Sequence, residues 1–325
     1  MSKSNIGLFG FGCVAQGFYQ GLQNNPDIPV QIKTVCVRDL SKPRPIGTDN
    51  FTNDPTAILG DPDIDIVVEL ITDAEAAFGY LKEALKSGKK IISANKKAIA
   101  EHLPELVELQ QKHGGTLLYE AAVGGAIPIL NSIDLFFSDQ EICQIRGILN
   151  GTCNFILTKM KKEGISFENA LEQAQVAGYA EDNPYLDISG FDTLYKSVIL
   201  SYHAFGTWAS PADIAIRGIN GLSSSETLQG RKENQKIKLI ASISRLKRDV
   251  AIEVRPTIIT DEDPLFGIDL EKNAVEIESS FSGKHIFQGN GAGSYPTGSA
   301  VLNDLKLLLD GFEYRYTKPR LARAS

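Results

Sequence analysis

Residues 4–24, with the sequence SNIGLFGFGCVAQGFYQGLQN, decide the fold of the first part of the chain. They predict a short buried strand, a glycine turn and a helix. Gly10 permits a tight turn, Gly12 would let the backbone approach a ligand, and Ala15 takes the small position where helix packs on strand. The turn can be purely structural, but this context favours a dinucleotide whose phosphates bind at the helix N-terminus. The candidate residues of this site are Gly10, Phe11, Gly12, Cys13 and Val14.

The alternation of strands and helices continues to residue 121. Strands are predicted at 30–37, 63–70, 89–94 and 116–121, and amphipathic helices at 74–88 and 99–115. Elements that alternate at this spacing predict an α/β fold with a Rossmann-type, doubly wound parallel sheet. Ligands bind outside the carboxyl ends of the strands in such sheets. The candidate residues at these ends are Ile71, Thr72, Asn95, Lys96 and the segment 120–125.

The second predicted strand ends in Arg38 and Asp39, where a dinucleotide site selects between NAD and NADP. An acid at this point binds the ribose hydroxyls of NAD, whereas an arginine binds the additional phosphate of NADP. Arg38 comes first, and Lys42 and Arg44 follow, so the sequence favours NADP. Asp39 leaves NAD open, and Arg38 can also be interpreted as a solvated loop residue.

The pattern changes near residue 140. Residues 140–160 predict a strand, a turn at 150–152 and a helix, and 271–289 predict an antiparallel pair of strands. These elements indicate a second, α+β domain. A glycine-rich stretch precedes a helix at 298–310, which we expect to pack back on the first domain. The predicted domains are therefore 1–135, 136–288 and a returning C-terminal segment, 289–325.

Composition restricts the class of protein. The 325 residues are 42% hydrophobic and 22% charged with a net charge of −7, and no basic run suggests a nucleic-acid partner. The four cysteines are scattered, which predicts reduced core residues and a cytoplasmic setting. No signal-peptide pattern and no apolar run of membrane-spanning length is found. The four histidines do not cluster, which argues against a zinc or iron site.

A second informative stretch, GYAEDNPYLDISGFDTLYKSVILSYH, occupies residues 178–203. Asp192 and Lys196 are four residues apart, so they share a face of a helix. Lys196 has apolar neighbours, and desolvation would lower its pKa and suit it to proton transfer. The alternative is an exposed ion pair at the start of an amphipathic helix, which is the commoner meaning of this spacing.

Six sequence blocks, in order along the chain, carry a resemblance to a known family. They are GFGCVA (10–15), ANKKAIA (94–100), YEAAVGGAIP (119–128), GILNGTCNFILTKM (147–160), GYAEDNPYLDISGFDTLYK (178–196) and GAGSYPTGSAVLNDL (291–305). On these motifs the chain resembles the homoserine dehydrogenases over nearly its whole length. The fourth and fifth blocks are far more specific than the glycine turn. The resemblance also suggests the short form of the enzyme, without a fused aspartate kinase or an ACT domain.

The resemblance implies NAD(P)H-dependent interconversion of L-aspartate 4-semialdehyde and L-homoserine in threonine, methionine and isoleucine biosynthesis. It gives Lys196 the role of general acid/base, Lys96 a role in charge stabilisation and proton transfer, and Glu181 the substrate ammonium. Asp192 would bind substrate and could also orient Lys196 or a reactive water. The other implied substrate ligands are Asp187, Gly151, Thr152 and Tyr179, and Gly291 is an implied cofactor contact.

The resemblance further implies a structural monovalent cation, usually Na+, and a homodimer formed through the second domain. The implied cation ligands are Glu120, Val123, Gly125 and Ile127. The chain departs from the family pattern at Asp73 and Glu75, where small residues and a proline are usual. Cys153 stands where the family often has threonine or serine, and is either a reactive thiol or a packing residue.

Two alternatives stay open. A related oxidoreductase could act on another small amino-acid aldehyde or alcohol with the same fold. A non-catalytic nucleotide sensor could retain the fold without the chemistry. Such a sensor is expected to have lost one of Lys96, Glu181, Asp192 or Lys196, and the chain retains all four.

Overall fold

The computed structural model describes residues 3–44, 50–230, 232–246 and 249–316. Contacts between Cα atoms divide the chain into two compact units. Unit 1 contains the residues up to Ala126 together with Gly293–Tyr314. Unit 2 contains Ile127–Ala292 together with the residues from Arg315. The division into domains at 1–135, 136–288 and 289–325 remains a prediction.

The described residues form strands and helices that we number along the chain. The strands are β1 (Ser4–Phe9), β2 (Val30–Cys36), β3 (Phe51–Thr52), β4 (Ile66–Glu69), β5 (Lys90–Ser93), β6 (Thr116–Leu118), β7 (Ile142–Ile148), β8 (Gln235–Arg245), β9 (Val250–Thr260), β10 (Lys272–Ser279) and β11 (Gly283–Asn290). The helices are α1 (Cys13–Gln23), α2 (Thr56–Leu59), α3 (Ala74–Lys86), α4 (Lys96–His113), α5 (Ile129–Leu135), α6 (Gly151–Glu163), α7 (Phe167–Val176), α8 (Tyr185–Ile188), α9 (Phe191–Phe205), α10 (Ser224–Gly230) and α11 (Ser294–Leu309).

Unit 1 contains a parallel sheet with the strand order β3-β2-β1-β4-β5-β6. All four residues of β4 are buried, as expected for a strand of a parallel sheet that is covered on both faces. The order reverses between β1 and β4, and ligands of doubly wound sheets bind at such a switch point. The predicted Rossmann-type fold is therefore confirmed.

The C-terminal helix α11 packs on α1 within unit 1, as predicted. A Cβ atom added to Gly17 would lie 2.1 Å from the carbonyl oxygen of Ser294, and one added to Gly298 would lie 2.5 Å from the nitrogen of Phe18. The hydroxyl of Ser294 donates a hydrogen bond to the carbonyl oxygen of Cys13, 2.7 Å away. Glycines are therefore required where these two helices meet, because any side chain would separate them.

Unit 2 contains an antiparallel sheet with the strand order β11-β10-β7-β8-β9. Helices α6 and α9 both pack against β8. One buried cluster of this unit consists of Ile148, Ile240, Ile259, Leu265, Ile268 and Ala274. The sheet and its helices confirm the predicted α+β character of the second region.

The structure shortens some predicted elements and lengthens others. The strand predicted at 116–121 ends at Leu118, because Glu120–Ala122 form a 3-10 turn. The helix predicted from residue 99 begins at Lys96, because Asn95 caps it with its side chain. Both changes lie at carboxyl ends of strands of unit 1, where the candidate residues cluster.

Candidate active site

The glycine turn of unit 1 has the geometry of a phosphate site. Gly10 has a φ of 87°, and a Cβ added to it would lie 2.8 Å from the carbonyl oxygen of Leu70. Gly12 directly precedes α1, and an added Cβ would meet no described atom within 4 Å. Among the described residues, no side chain caps α1. Gly12 therefore leaves room for a pyrophosphate beside the N–H groups of the helix N-terminus.

The other three residues of the turn differ in exposure. Phe11 is buried and packs edge-on against Tyr19 and Phe51. Cys13 is exposed, and Val14 is half-buried. Phe11 therefore anchors the turn in the core of unit 1.

The end of β2 presents Arg38 and Asp39 to solvent. The carboxylate of Asp39 accepts hydrogen bonds from the hydroxyl and the N–H group of Ser41, at 2.7 and 2.8 Å. These two hydrogen bonds hold the pKa of Asp39 below its usual range. Both hydrogen bonds end on Oδ1, so they orient the acid that could bind the ribose of NAD and do not use its Oδ2 atom.

The ends of β4 and β5 bring four of the predicted cofactor residues into one region. Asn95 accepts a hydrogen bond from the N–H group of Ala98 and donates one to the carbonyl oxygen of Ile71, 3.1 Å away. Lys96, the first residue of α4, is half-buried, and Thr72 is exposed. Asp73 caps α3 by accepting the N–H group of Ala76, which accounts for one departure from the family pattern.

A buried carboxylate that the sequence analysis missed lies behind these residues. Glu69 ends β4 with no exposed surface. It accepts hydrogen bonds from the hydroxyl of Ser93 at 2.5 Å and from the N–H group of Ile71 at 2.8 Å. Burial raises the pKa of Glu69 to about 7, although these hydrogen bonds oppose the shift. The available signal was an acid that closes an otherwise apolar buried strand.

In unit 2, the turn before α6 organises the charged residues. Asn150 caps α6 by accepting the N–H group of Cys153, 2.8 Å away. Its amide nitrogen donates to the carboxylates of Asp187, at 2.7 Å, and Asp192, at 2.9 Å. Asn150 was predicted only as a turn residue. Its role as a link between two carboxylates depends on contacts across about 40 residues of chain, which no local pattern indicates.

Lys196 lies at the centre of this network on α9. Its Nζ atom is 2.9 Å from Oδ2 of Asp192 and donates to the carbonyl oxygen of Leu149, 2.7 Å away. The Lys196 side chain is 8% exposed and that of Asp192 is 4% exposed. The interpretation of this pair as an exposed surface pair is therefore wrong. A buried, hydrogen-bonded ammonium group at this point can hold or release a proton in a fixed direction.

Gly151 and Thr152 follow Asn150 at the start of α6. A Cβ added to Gly151 would lie 2.7 Å from the carbonyl oxygen of Glu271. The hydroxyl of Thr152 donates to the carbonyl oxygen of Tyr179, whose ring packs against Phe155. Cys153 is buried beside these residues, and burial raises the pKa of its thiol well above the usual value. Burial accounts for Cys153 as a packing residue.

The structure leaves Glu181 and Gly291 outside this network. Glu181 is exposed between α7 and α8, and its backbone carbonyl accepts a hydrogen bond from the side chain of Gln175. Gly291 lies beside Asn273, since an added Cβ would be 1.9 Å from the amide nitrogen of Asn273. Asn273 donates to the carbonyl oxygen of Leu149, which also accepts from Lys196.

The predicted ligands of the cation are divided between the two units along the chain. Glu120 and Val123 are buried in unit 1, where Gly125 has a φ of 56°. Ile127 belongs to unit 2, and its carbonyl oxygen accepts the N–H group of Ile129.

A buried acid of α11 adds an observation on this site within unit 1. The N–H group of Glu120 donates to Oδ2 of Asp304, 2.9 Å away. Asp304 is buried, and its Oδ1 atom has no hydrogen-bond partner among the described residues. Burial, and to a smaller extent the charge of Glu120, raise the pKa of Asp304 well above its usual value. The unpartnered oxygen of Asp304 and the buried Glu120 fit a site for a hard cation, which takes oxygen ligands.

The parallel sheet with its switch point, the glycine turn and the buried lysine define an NAD(P)-dependent oxidoreductase of the Rossmann class. Comparison with known families agrees with this class. The family model described as "Homoserine dehydrogenase, NAD binding domain" matches residues 10–120, and the model described as "Homoserine dehydrogenase" matches residues 128–306. The chain belongs to the homoserine dehydrogenase family.

Individual relatives support this assignment. The homoserine dehydrogenase of Bacillus subtilis is 35% identical over 314 residues, which cover 94% of this chain and 72% of the relative. That of Lactococcus lactis is 38% identical over 312 residues, which cover 93% and 73%. A crystal structure of a homoserine dehydrogenase from Thiobacillus denitrificans has a TM-score of 0.90 and 33% identity, over 95% of this chain and 75% of that chain.

A structure of a hyperthermophilic archaeal homoserine dehydrogenase in complex with NADPH is also similar, with a TM-score of 0.82 and 26% identity. The match covers 96% of this chain and 100% of that one. The chain is thus an NAD(P)-dependent oxidoreductase that interconverts L-aspartate 4-semialdehyde and L-homoserine in amino-acid biosynthesis. In the part of the chain that the structure describes, no helix is both long and apolar enough to cross a membrane.

Proposed function

We propose that Lys196 is the general acid/base of this reaction. Reduction of the aldehyde leaves an alkoxide, which must gain a proton, and oxidation of the alcohol requires that the proton be removed. The reduced nicotinamide, when bound, supplies the hydride. The observation that carries the proposal is the position of the Lys196 ammonium, which is buried between the carboxylate of Asp192 and the carbonyl oxygen of Leu149.

The neighbouring residues have supporting roles in this proposal. Asp192 orients Lys196, and Asn150 orients Asp192 and Asp187 through its amide nitrogen. Asp187, Gly151, Thr152 and Tyr179 bind the substrate, and the exposed carboxylate of Glu181 binds its ammonium group. Lys96, at the carboxyl end of β5, stabilises negative charge on the substrate.

We also propose that the enzyme prefers NADP to NAD. Arg38 is exposed at the end of β2, where a guanidinium group can bind the additional phosphate. The carboxylate of Asp39 accepts both hydrogen bonds from Ser41 at Oδ1, which orients it within its own loop and leaves Oδ2 as the acceptor that NAD would use. The exposed guanidinium group of Arg38 is the observation that favours the phosphorylated cofactor.

Three further proposals concern the state of the enzyme. A monovalent cation, Na+, binds at Glu120, Val123, Gly125 and Ile127, because Asp304 places a buried oxygen without a hydrogen-bond partner beside Glu120. The enzyme forms a homodimer through unit 2. It functions in the cytoplasm, because all four cysteines are free, which is typical of a reducing compartment.

The test of the proposed function is a steady-state assay of the purified chain. L-Homoserine with NADP+ at alkaline pH should produce NADPH, and L-aspartate 4-semialdehyde should consume it. Other small amino-acid aldehydes serve as competing substrates in the same assay. Faster turnover of one of them would identify a related oxidoreductase instead. Size-exclusion chromatography with light scattering tests the dimer.

A further inference from the structure

The carboxylate of Glu69 is the centre of a hydrogen-bonded network in unit 1 that the reaction as described does not use. One of its oxygens accepts the N–H group of Ile71, and the other accepts the hydroxyl of Ser93. The oxygen of Ser93 in turn accepts the N–H group of Asn95, 3.1 Å away. Asn95 closes the network by donating to the carbonyl oxygen of Ile71. Glu69 thus ties the chain beyond β4 to the chain beyond β5.

The network ends on two residues that are predicted to contact the cofactor. Ile71 and Asn95 are both predicted cofactor residues, and Asn95 caps α4, whose first residue is Lys96. In a doubly wound sheet the two mononucleotide-binding halves each take one nucleotide of the cofactor. The glycine turn and Arg38 belong to the half built on β1 to β3. The residues that Glu69 fixes belong to the other half, which receives the nicotinamide.

Burying a carboxylate in this position costs free energy of folding. Glu69 has no exposed surface, and burial raises its pKa to about 7. An apolar side chain of similar size would avoid the desolvation of a charge. The structure therefore retains an acid where packing alone would favour a neutral residue. A purpose beyond packing is indicated because both oxygens accept hydrogen bonds from the segments just described.

We propose that Glu69 is a positioning residue for hydride transfer, which holds the segment after β4 and the start of α4 in the register that the nicotinamide ring requires. The proposal rests on the proposed function, since it assumes that unit 1 binds the nicotinamide cofactor for a dehydrogenase reaction. Glu69 itself touches neither substrate nor cofactor in this proposal. It acts through the backbone of Ile71 and through Asn95.

The test uses two variants of the full-length enzyme. Glu69→Gln keeps an acceptor for the N–H group of Ile71 but presents an NH2 group to Ser93, and Ser93→Ala removes the hydroxyl alone. In both variants we expect kcat to fall about tenfold or more, because a small misplacement of the reacting groups slows transfer strongly. The deuterium isotope effect with NADPH labelled at the transferred position should increase. Affinity for adenosine 2′,5′-bisphosphate, which lacks nicotinamide, should stay within about twofold, because the other half of the site is untouched.

Glu105→Gln is the matched control, because Glu105 lies on α4 but pairs with Lys82 on a partly exposed surface. An unchanged kcat and isotope effect in both Glu69→Gln and Ser93→Ala would overturn the proposal. A parallel loss of affinity for NADPH and for adenosine 2′,5′-bisphosphate would also overturn it, since it would indicate general loss of structure. If Glu69→Gln does not fold, Ser93→Ala decides alone.

Failure of the proposed function has a different signature. It would show as absent turnover of homoserine by the unmodified enzyme. The fluorescence of bound NADPH can then still be compared between the unmodified enzyme and the two variants. An altered nicotinamide emission with unchanged binding of adenosine 2′,5′-bisphosphate would support the positioning role without any amino-acid substrate. Identical emission in all three proteins would contradict it.

Discussion

The carboxylate of Asp192 lies 2.9 Å from the ammonium group of Lys196, one helical turn away, and both side chains are buried. Breaking such a pair leaves one buried charge without its partner, which is far more costly than breaking an exposed pair. The same carboxylate also accepts a hydrogen bond from Asn150. The position of the lysine is thus fixed by Asp192 on its own helix and by Asn150, which caps α6.

Lys196→Ala should remove most turnover while cofactor binding persists. Loss of a general acid/base group typically costs about 10²- to 10⁴-fold in rate. We expect kcat to fall by this amount and the dissociation constant of NADPH, measured by fluorescence, to stay nearly constant. Lys86→Ala removes an exposed lysine paired with Glu83 and should leave kcat unchanged. Turnover of Lys196→Ala close to that of Lys86→Ala would refute the assignment.

Asn150→Ala should reduce kcat/KM by more than the loss of a helix cap alone would. The variant loses the cap of α6, which costs about 1 kcal/mol, and also the donor shared by Asp187 and Asp192. Ser166→Ala is the matched control, because Ser166 caps α7 by the same kind of hydrogen bond without contacting these acids. The melting temperatures of both variants are measured as well. If the two variants lose equal amounts of kcat/KM, Asn150 acts only as a helix cap.

Arg38→Ala should weaken NADPH more than NADH. A charge-assisted hydrogen bond from the guanidinium to the 2′-phosphate is worth about 1.5–3 kcal/mol, which corresponds to about tenfold or more in affinity. The ratio of KM values for the two cofactors measures this difference directly. Equal weakening of both cofactors, or of neither, would remove Arg38 from the phosphate site.

Glu69 gives the stability of unit 1 a pH dependence of defined sign. Its pKa rises from 4.5 to about 7 on folding, so the folded chain retains the proton between these values while the unfolded chain releases it. The stabilising contribution is complete below the lower value and is lost as the pH rises through the upper one. The free energy of unfolding changes by about 3 kcal/mol at most.

Glu69→Gln should therefore gain melting temperature relative to the unmodified enzyme between about pH 5 and about pH 8. Parallel pH profiles of the two proteins would contradict the raised pKa.

The cation proposal makes a prediction about salt identity. Sodium chloride should raise the melting temperature above that in choline chloride of equal ionic strength, because a ligand of the folded state stabilises it by mass action. Glu120→Gln should abolish the difference, whereas the exposed Glu262→Gln should retain it. If the two salts act equally on the unmodified enzyme, no specific site for Na+ exists.

Local patterns in the sequence were sufficient to predict the fold but only part of the site. The alternation of short apolar strands with helices predicted the parallel sheet, because the buried strands carry the pattern residue by residue. The glycine turn could be located for the same reason, since Gly10 and Gly12 act on the backbone next to them. The spacing of Asp192 and Lys196 predicted their contact but not their burial, which depends on the sheet and helices around α9.

The remaining site residues were missed for identifiable physical reasons. Asn150 joins Asp187 and Asp192 from 37 and 42 positions away, and Asp304 meets Glu120 across 184 positions. Such contacts are set by tertiary packing and leave no local pattern. Glu69 lies in an apolar strand, where a charged residue interrupts the apolar pattern without indicating a functional site.

The close contact between α1 and α11 has a consequence for how the enzyme is made. The N-terminus of the chain leaves the ribosome first, and domains commonly fold as they emerge. Unit 1 cannot do so, because Gly17 must await Gly298, which is synthesised only after Ile127–Ala292 of unit 2. The nascent glycine turn therefore exists for most of translation without its final packing partner. We expect the cofactor site to mature only after α11 has been translated, so a ribosome-stalled chain ending before residue 293 should fail to retain NADPH.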